Sequence, residues 1–264
     1  MIDYAKNIKV FEDTQSVIKK AFLDKTEKSL KDTIVYKKIS TNHIPSNHTP
    51  ITMLSGGTVE TAYKYAKDNK VAMLNFANAL VPGGLVLKGA QNQEENICRC
   101  TNLYPILASN KCKSMYYDVN KSKNDSIYSD NLIYSPRIVI FKDDKTYKRV
   151  VPREVDVVTC SAPSYKFLND TDALNTYVAR IKNIILAPVS HSVDTLVLGA
   201  WGCGAFGQNT VLIARAFATV LNEYSGLYDN IVFAIRPTVR TDIKGAYSIF
   251  KDVFEREYRW GVTE

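Results

Sequence analysis

Asn75-Phe76-Ala77-Asn78-Ala79-Leu80-Val81-Pro82-Gly83-Gly84-Leu85-Val86-Leu87-Lys88-Gly89-Ala90-Gln91-Asn92-Gln93-Glu94-Glu95 is the stretch on which the fold turns. An apolar run, Val71 to Phe76, leads into it, with the continuity expected of a buried strand. The chain then passes small and amide residues, turns at Pro82-Gly83-Gly84, and reaches adjacent carboxylates, Glu94 and Glu95, at the start of a helix-like segment. Glycines permit φ > 0 and a close approach to the backbone. Two arrangements fit this pattern. The commoner is an ordinary strand-to-helix turn whose acids complement the helix dipole. The other is a ligand site in which paired acids bind sugar hydroxyls and exchange a proton.

Working outward, buried strands alternate with helices. Strands are expected over Thr33 to Ile39, Val71 to Phe76, Val155 to Cys160, Thr195 to Ala200 and Ile231 to Ile235, and a hairpin is expected where Ile138 to Phe141 and Tyr147 to Val151 flank Asp143-Asp144-Lys145. Helices are expected over Val59 to Lys67, Gln91 to Leu107, Asp170 to Leu186, Asn209 to Glu223 and Gly245 to Glu257. Before them, residues 8 to 22 read as a short extended piece and an amphipathic helix capped at Asp13 or Thr14. Thr41 to Pro50 reads as a loop, and Ser109 to Ser135 as mostly surface loop. The fold class expected is α/β, a three-layer α/β/α arrangement around a mixed sheet. The expected division is an N-terminal extension over 1–50 packed on a core over 51–264.

A second loop, Gly199-Ala200-Trp201-Gly202-Cys203-Gly204-Ala205-Phe206-Gly207, follows the strand at 195 and precedes the helix at 209. Strand end, glycine loop and helix N-terminus together present backbone N–H groups suited to a diphosphate. Gly202, Gly204 and Gly207 match a dinucleotide register, but no acid follows at the required spacing, so a Rossmann reading is weak. Cys203 is read as a small, partly buried residue, since none of His43, His48 and His191 makes a convincing partner for a nucleophile. Cys98, Cys100 and Cys112 lack metal-site spacing, and no metal or cofactor is called for. Tyr116, Tyr117, Tyr128, Tyr134 and Tyr165 could stack on a base or cover a ribose, or equally shield a sheet edge.

The 264 residues carry a formal charge of +7 with a pI near 9.0, which favours anionic partners. The basic residues are scattered rather than blocked, which argues against nucleic acid except as a modified substrate. An odd number of cysteines, five, and no apolar run of membrane-spanning length point to a soluble cytoplasmic protein away from any membrane.

Taken together these residues resemble the bacterial-type poly(ADP-ribose) glycohydrolase family, whose macrodomain carries a Gly-Gly-Gly, spacer, Gln-Glu-Glu signature. The resemblance runs in order through Asn75-Phe76-Ala77-Asn78, Pro82-Gly83-Gly84, Gly89 to Glu95, Arg99, Leu103-Tyr104-Pro105, Ile133 to Pro136, Ala162-Pro163, Leu196 to Gly204 and Val232 to Ile235, covering about residues 8 to 254. It implies an ADP-ribose-binding macrodomain with an N-terminal helical extension, acting as a monomer on ADP-ribose and ADP-ribosylated macromolecules. It implies Glu95 as the catalytic acid, Glu94 as a ribose-hydroxyl ligand, and Asn78, Gly83, Gly84 and Gln93 at the sugar. Gly202, Cys203, Gly204, Ala205, Phe206 and Gly207 would hold the diphosphate and pack against ribose. The implied activity is hydrolysis of the C1″ glycosidic bond of poly(ADP-ribose). The alternatives are removal of single ADP-ribose units from protein or nucleic acid, and a non-catalytic ADP-ribose reader. One departure stands in the signature: Leu85, at the ligand-binding turn, replaces the third glycine, costly if φ must be positive there and otherwise only a reshaping of the pocket. Arg236 to Lys244 departs as well.

Overall fold

The computed structural model describes residues 3–41, 45, 47–164, 169–204, 207–236 and 245–264. Its strands are β1 (Ile34–Tyr36), β2 (Ile51–Leu54), β3 (Val71–Phe76), β4 (Leu132–Lys142), β5 (Arg149–Cys160), β6 (Thr195–Leu198), β7 (Asn230–Ala234) and β8 (Val262–Thr263). They form one sheet in the order β1-β4-β5-β3-β6-β7-β2-β8. From β5 to β8 every pairing is parallel, while β4 runs antiparallel to both β1 and β5. The sheet is therefore mixed. The fully buried β6 and the nearly fully buried β3 are the strands covered on both faces.

The helices are α1 (Tyr4–Ala21), α2 (Leu23–Asp32), α3 (Thr58–Tyr65), α4 (Gln93–Cys100), α5 (Leu103–Leu107), α6 (Asn110–Cys112), α7 (Asp118–Lys123), α8 (Asp170–Leu186), α9 (Thr210–Tyr224) and α10 (Ala246–Glu257). Side chains alternate across a strand, so β3 sends Ala72 and Leu74 to one face and Val71 and Met73 to the other. The first pair joins a core with Ile184, Phe217 and Phe250 from α8, α9 and α10. The second joins Val59, Ile97, Leu103 and Phe11 from α3, α4, α5 and α1. Helix, sheet and helix thus form three layers, as the alternation predicts.

Several local expectations fail for identifiable reasons. Residues 4–21 are one continuous helix capped by Asp3, whose side chain accepts from Lys6 N at 2.9 Å. The residues expected as caps have tertiary partners instead: Thr14 Oγ1 donates to Arg99 O at 2.6 Å, and Asp13 pairs with Lys142 Nζ at 2.7 Å. The helix expected over 91–107 breaks at Thr101 and Asn102, because Thr101 bridges to Ile140 and Asn102 Oδ1 accepts from Val139 N at 2.7 Å. Most of the loop expected over 109–135 is helical. Cys112, Tyr116 and Asn120, each four residues on, form a buried stripe beneath a polar surface, and a π-helical turn at Lys113–Tyr117 carries the chain between α6 and α7. Tyr116, Tyr117 and Tyr134 are buried in the core, Tyr128 is half-buried with its hydroxyl 3.0 Å from Ser164 Oγ, and Tyr165 lies outside the described residues. The two short strands expected at 147–151 and 155–160 are one, β5, and β2 and β8 went unread because each is very short.

One consequence of topology matters for the site. Two register shifts bend the β4–β5 hairpin, and its side chains clasp α3, with Arg153 Nη1 donating to Tyr63 O at 2.6 Å. Its tip, residues 143–148, reaches the start of α3 and the first turns of α4.

Candidate active site

The loop after β3 is shaped by two left-handed glycines. Gly83 has φ +68° and Gly84 has φ +59°, and neither has room for a side chain: a Cβ on Gly83 would lie 2.7 Å from Tyr104, and one on Gly84 would lie 2.5 Å from Glu95 Oε1. Leu85 itself sits at φ −102°, ψ 30°, a conformation open to any residue, and opens a 3₁₀ turn at Val86–Lys88. Leucine in place of the third glycine is thus unstrained. Its side chain is half-exposed on the wall of the cleft, and its backbone N–H donates to Glu95 Oε1 at 2.9 Å.

Helix α4 is pinned to the end of β3 by Gln93. Gln93 Oε1 accepts from Phe76 N at 2.8 Å, and its amide nitrogen donates to Leu74 O at 2.7 Å and to Thr58 Oγ1 at 3.2 Å. All three contacts are to protein, so Gln93 sets the helix position. Asn78 closes a turn, its Oδ1 accepting from Leu80 N and Val81 N at 2.9 Å each, and its own N–H donates to Glu94 Oε2 at 2.7 Å.

The two acids have different surroundings. Glu94 is held through both oxygens, by Asn78 N–H and by Asn75 Nδ2 at 3.3 Å. Burial raises its carboxyl from 4.5 to about 8, against the pull of the Asn78 and Asn75 hydrogen bonds and with a small push from Glu95. Glu95 is held through Oε1 alone. Its Oε2 is buried on the wall of the cleft and has no partner among the described residues.

The cleft has a volume of about 540 Å³ and crosses the C-terminal ends of β3, β6, β7 and β2. Asn78, Leu85 and the acids line it on the β3 side, and residues 200–204 line it after β6. Ligand sites in open parallel sheets lie at this edge. Gly202 takes φ +80° and Gly207 φ +60°, while Gly204 and Gly207 face open space, leaving backbone accessible ahead of the Asn209 cap of α9. Cys203 is half-buried, and desolvation pushes its thiol up to about 12, which rules against a thiolate nucleophile. Ala205, Phe206 and the segment 237–244 lie outside the described residues.

Sequence reasoning missed two supports. The first is α1: Asn7 Nδ2 donates to Gly89 O at 2.8 Å, and a side chain at Gly89 would meet the backbone of Tyr4, so this helix fixes the far end of the glycine loop. The second is the hairpin tip. Tyr147 OH donates to Asn96 Oδ1 at 2.7 Å and accepts from Arg99 Nε at 3.2 Å, while Asp144 reaches Arg236 and Gly57. Lone polar residues on a hairpin carry no local signal of such distant partners.

A mixed sheet between two helical layers, with a cleft at its parallel edge, a buried acid pair and a glycine loop beside it, is a macrodomain-like fold. The chain belongs to the microbial-type PARG catalytic domain family, whose model matches residues 7–143. Solved structures agree over nearly its whole length. Poly(ADP-ribose) glycohydrolase from Thermomonospora curvata bound to the inhibitor ADP-HPD is 26% identical with a TM-score of 0.82, the match covering 94% of this chain and 99% of that one. Another structure of the same enzyme is 25% identical with a TM-score of 0.84, covering 95% and 100%. Poly(ADP-ribose) glycohydrolase from Deinococcus radiodurans in complex with ADP-ribose is 26% identical with a TM-score of 0.75, covering 87% and 96%. Comparison with curated proteins finds no match. Among the described residues, no helix is long and apolar enough to cross a membrane.

Proposed function

We propose that this chain releases ADP-ribose from poly(ADP-ribose) by hydrolysing the C1″ glycosidic bond, with Glu95 transferring the proton. The observation that carries this reading is the unpartnered Oε2 of Glu95, buried on the wall of the cleft while Oε1 is fixed by Leu85 N–H. Burial pushes the carboxyl of the neighbouring Glu94 up to about 8, and Glu95 shares the same buried corner of the cleft. Glu95 delivers the proton to the leaving oxygen as the C1″–O bond breaks through an oxocarbenium-like transition state. As a carboxylate it then takes a proton from the water that attacks C1″.

Glu94, immobilised by Asn75 and Asn78, serves as the ribose-hydroxyl ligand, Gln93 sets the register of α4, and Gly202 to Gly207 hold the diphosphate. The division into an extension over 1–50 and a catalytic unit over 51–264 belongs to the same proposal, with α1 supporting the glycine loop through Asn7. Action as a monomer belongs to the same proposal. The five unpaired cysteines support a reducing, cytoplasmic setting.

The test is Glu95→Gln, incubated with automodified polymer and with mono-ADP-ribosylated protein and followed by chromatography of released ADP-ribose. Loss of release with ADP-ribose binding retained is expected, and full activity would refute the assignment. Release by the wild type from the mono-modified protein alone would replace polymer with single units as the substrate.

A further inference from the structure

The pocket wall opposite the acid pair carries an arginine that the proposed chemistry does not use. Arg236 follows β7 directly and lines the cleft, with 59% of its side chain exposed. Its Nη2 donates to Asp144 Oδ2 at 3.1 Å, and Asp144 is a carboxylate only 2% exposed at the hairpin tip. Asp144 also lies against Gly57, at the start of α3, and 3.5 Å from Asn96 Nδ2 on α4. The guanidinium is therefore held at one corner by a buried carboxylate set against α3 and α4 and lies against Gly57, and among the described residues its other N–H donors have no partner and most of the side chain is exposed to the cleft.

Strand order says which part of the ligand that is. The acids hang from the end of β3, the glycine loop from the neighbouring β6, and Arg236 from β7, one strand further. At about 4.8 Å per strand, Arg236 stands roughly 10 Å from the acid pair along the cleft. A ligand with its terminal ribose at Glu95 and its diphosphate at the β6 loop places its adenosine over β7. We infer that Arg236, positioned by Asp144, recognises the adenine of the bound ADP-ribose through its planar face and free N–H donors. This rests on the functional reading above and adds to it a specificity residue for the nucleobase. Purines offer both an acceptor edge and a π-face to a guanidinium. Arg236 is the charge partner of the buried Asp144, so thermal unfolding is read on every variant, and Arg236→Lys keeps a cation beside that carboxylate.

Three proteins test the inference: the wild type, Arg236→Ala and Arg236→Lys. Each is titrated with ADP-ribose, AMP and ribose 5-phosphate, alongside steady-state hydrolysis of polymer. In Arg236→Ala, AMP and ADP-ribose should bind about tenfold more weakly, equivalent to about 1.4 kcal/mol, and ribose 5-phosphate should be unchanged. KM should rise with kcat within twofold. Lysine keeps the charge without the plane and should recover less than half of the loss on a logarithmic scale. Equal weakening of AMP and ribose 5-phosphate would make Arg236 a phosphate cation and overturn the inference. So would a wild type that binds AMP no better than ribose 5-phosphate, or full recovery by lysine. A wild type that binds ADP-ribose nowhere would refute the functional reading itself.

Discussion

Replacing Gly84 by alanine tests the acid pair through the backbone that surrounds it. Gly84 has φ +59°, and a left-handed conformation costs a residue with a side chain about 1–2 kcal/mol. The new Cβ would lie 2.5 Å from Glu95 Oε1 and 3.1 Å from Glu94 Oε2. A relaxed carbon–oxygen contact is about 3.3 Å, so Glu95 must retreat by roughly 0.8 Å or pull away from Leu85 N–H. Misplacement on the order of 1 Å costs a reaction about a hundredfold. We expect kcat for ADP-ribose release from automodified polymer to fall by about that factor, or about 2.7 kcal/mol in the barrier. The backbone strain should lower Tm by about 2–8 °C for a chain of this size. Both are read on the same preparation, by chromatography of released ADP-ribose and by thermal unfolding. A kcat within threefold of wild type, with Tm lowered as stated, would show that the strain is present while the position of Glu95 is immaterial. That result would refute the mechanism.

Two further outcomes follow from the loop and the acid pair. Burial raises the Glu94 carboxyl from 4.5 to about 8, so the folded state holds this proton more tightly than the unfolded state does. The stability it contributes is complete below about pH 4.5 and is lost as pH rises through about 8, at up to about 1.4 kcal/mol per pH unit. Glu94→Gln should flatten the decline of the urea midpoint between pH 5 and 8, and an identical slope in both proteins would refute the assignment. Leu85→Gly restores the glycine of the family signature at a position where φ is already −102°. It should relieve no strain and cost about 0.5–1 kcal/mol in chain entropy, with kcat changed less than threefold. A gain in stability by chemical denaturation would show that leucine is strained there.

Much of the fold was legible because it rests on periodicity. Val71 to Phe76 reads as a buried strand and Asp170 to Leu186 as a helix because continuous apolar runs and 3.6-residue stripes are local properties of a chain. The segment 109–135 was illegible for the opposite reason. Its buried stripe, Cys112, Tyr116 and Asn120, mixes a residue usually buried, one of intermediate preference and one usually exposed, so it leaves no apolar period to read. In the site, both glycines and both acids could be singled out from local pattern, and the family resemblance implied different roles for the acids, but the difference in their contacts was not legible. That difference arises from Asn75 and Asn78 on one side and Leu85 N–H on the other, contacts across the β3 turn whose geometry no spacing rule supplies.

By itself the sequence determined the β-loop-α unit at 71–95, the adjacency of Glu94 and Glu95, and the glycine loop before α9. Each follows from short-range constraints: backbone freedom at glycine, helix phase and strand continuity. Only the tertiary structure decided that the oxygen left free belongs to Glu95, that Leu85 is unstrained, and that a hairpin tip holds Arg236 over the cleft through Asp144. Those outcomes depend on long-range packing, with α1 seated against Gly89 and the bent β4–β5 hairpin wrapped over α3. Burial and hydrogen-bond satisfaction are properties of the assembled chain, and they determine which of two adjacent carboxylates is held through both oxygens and which through one.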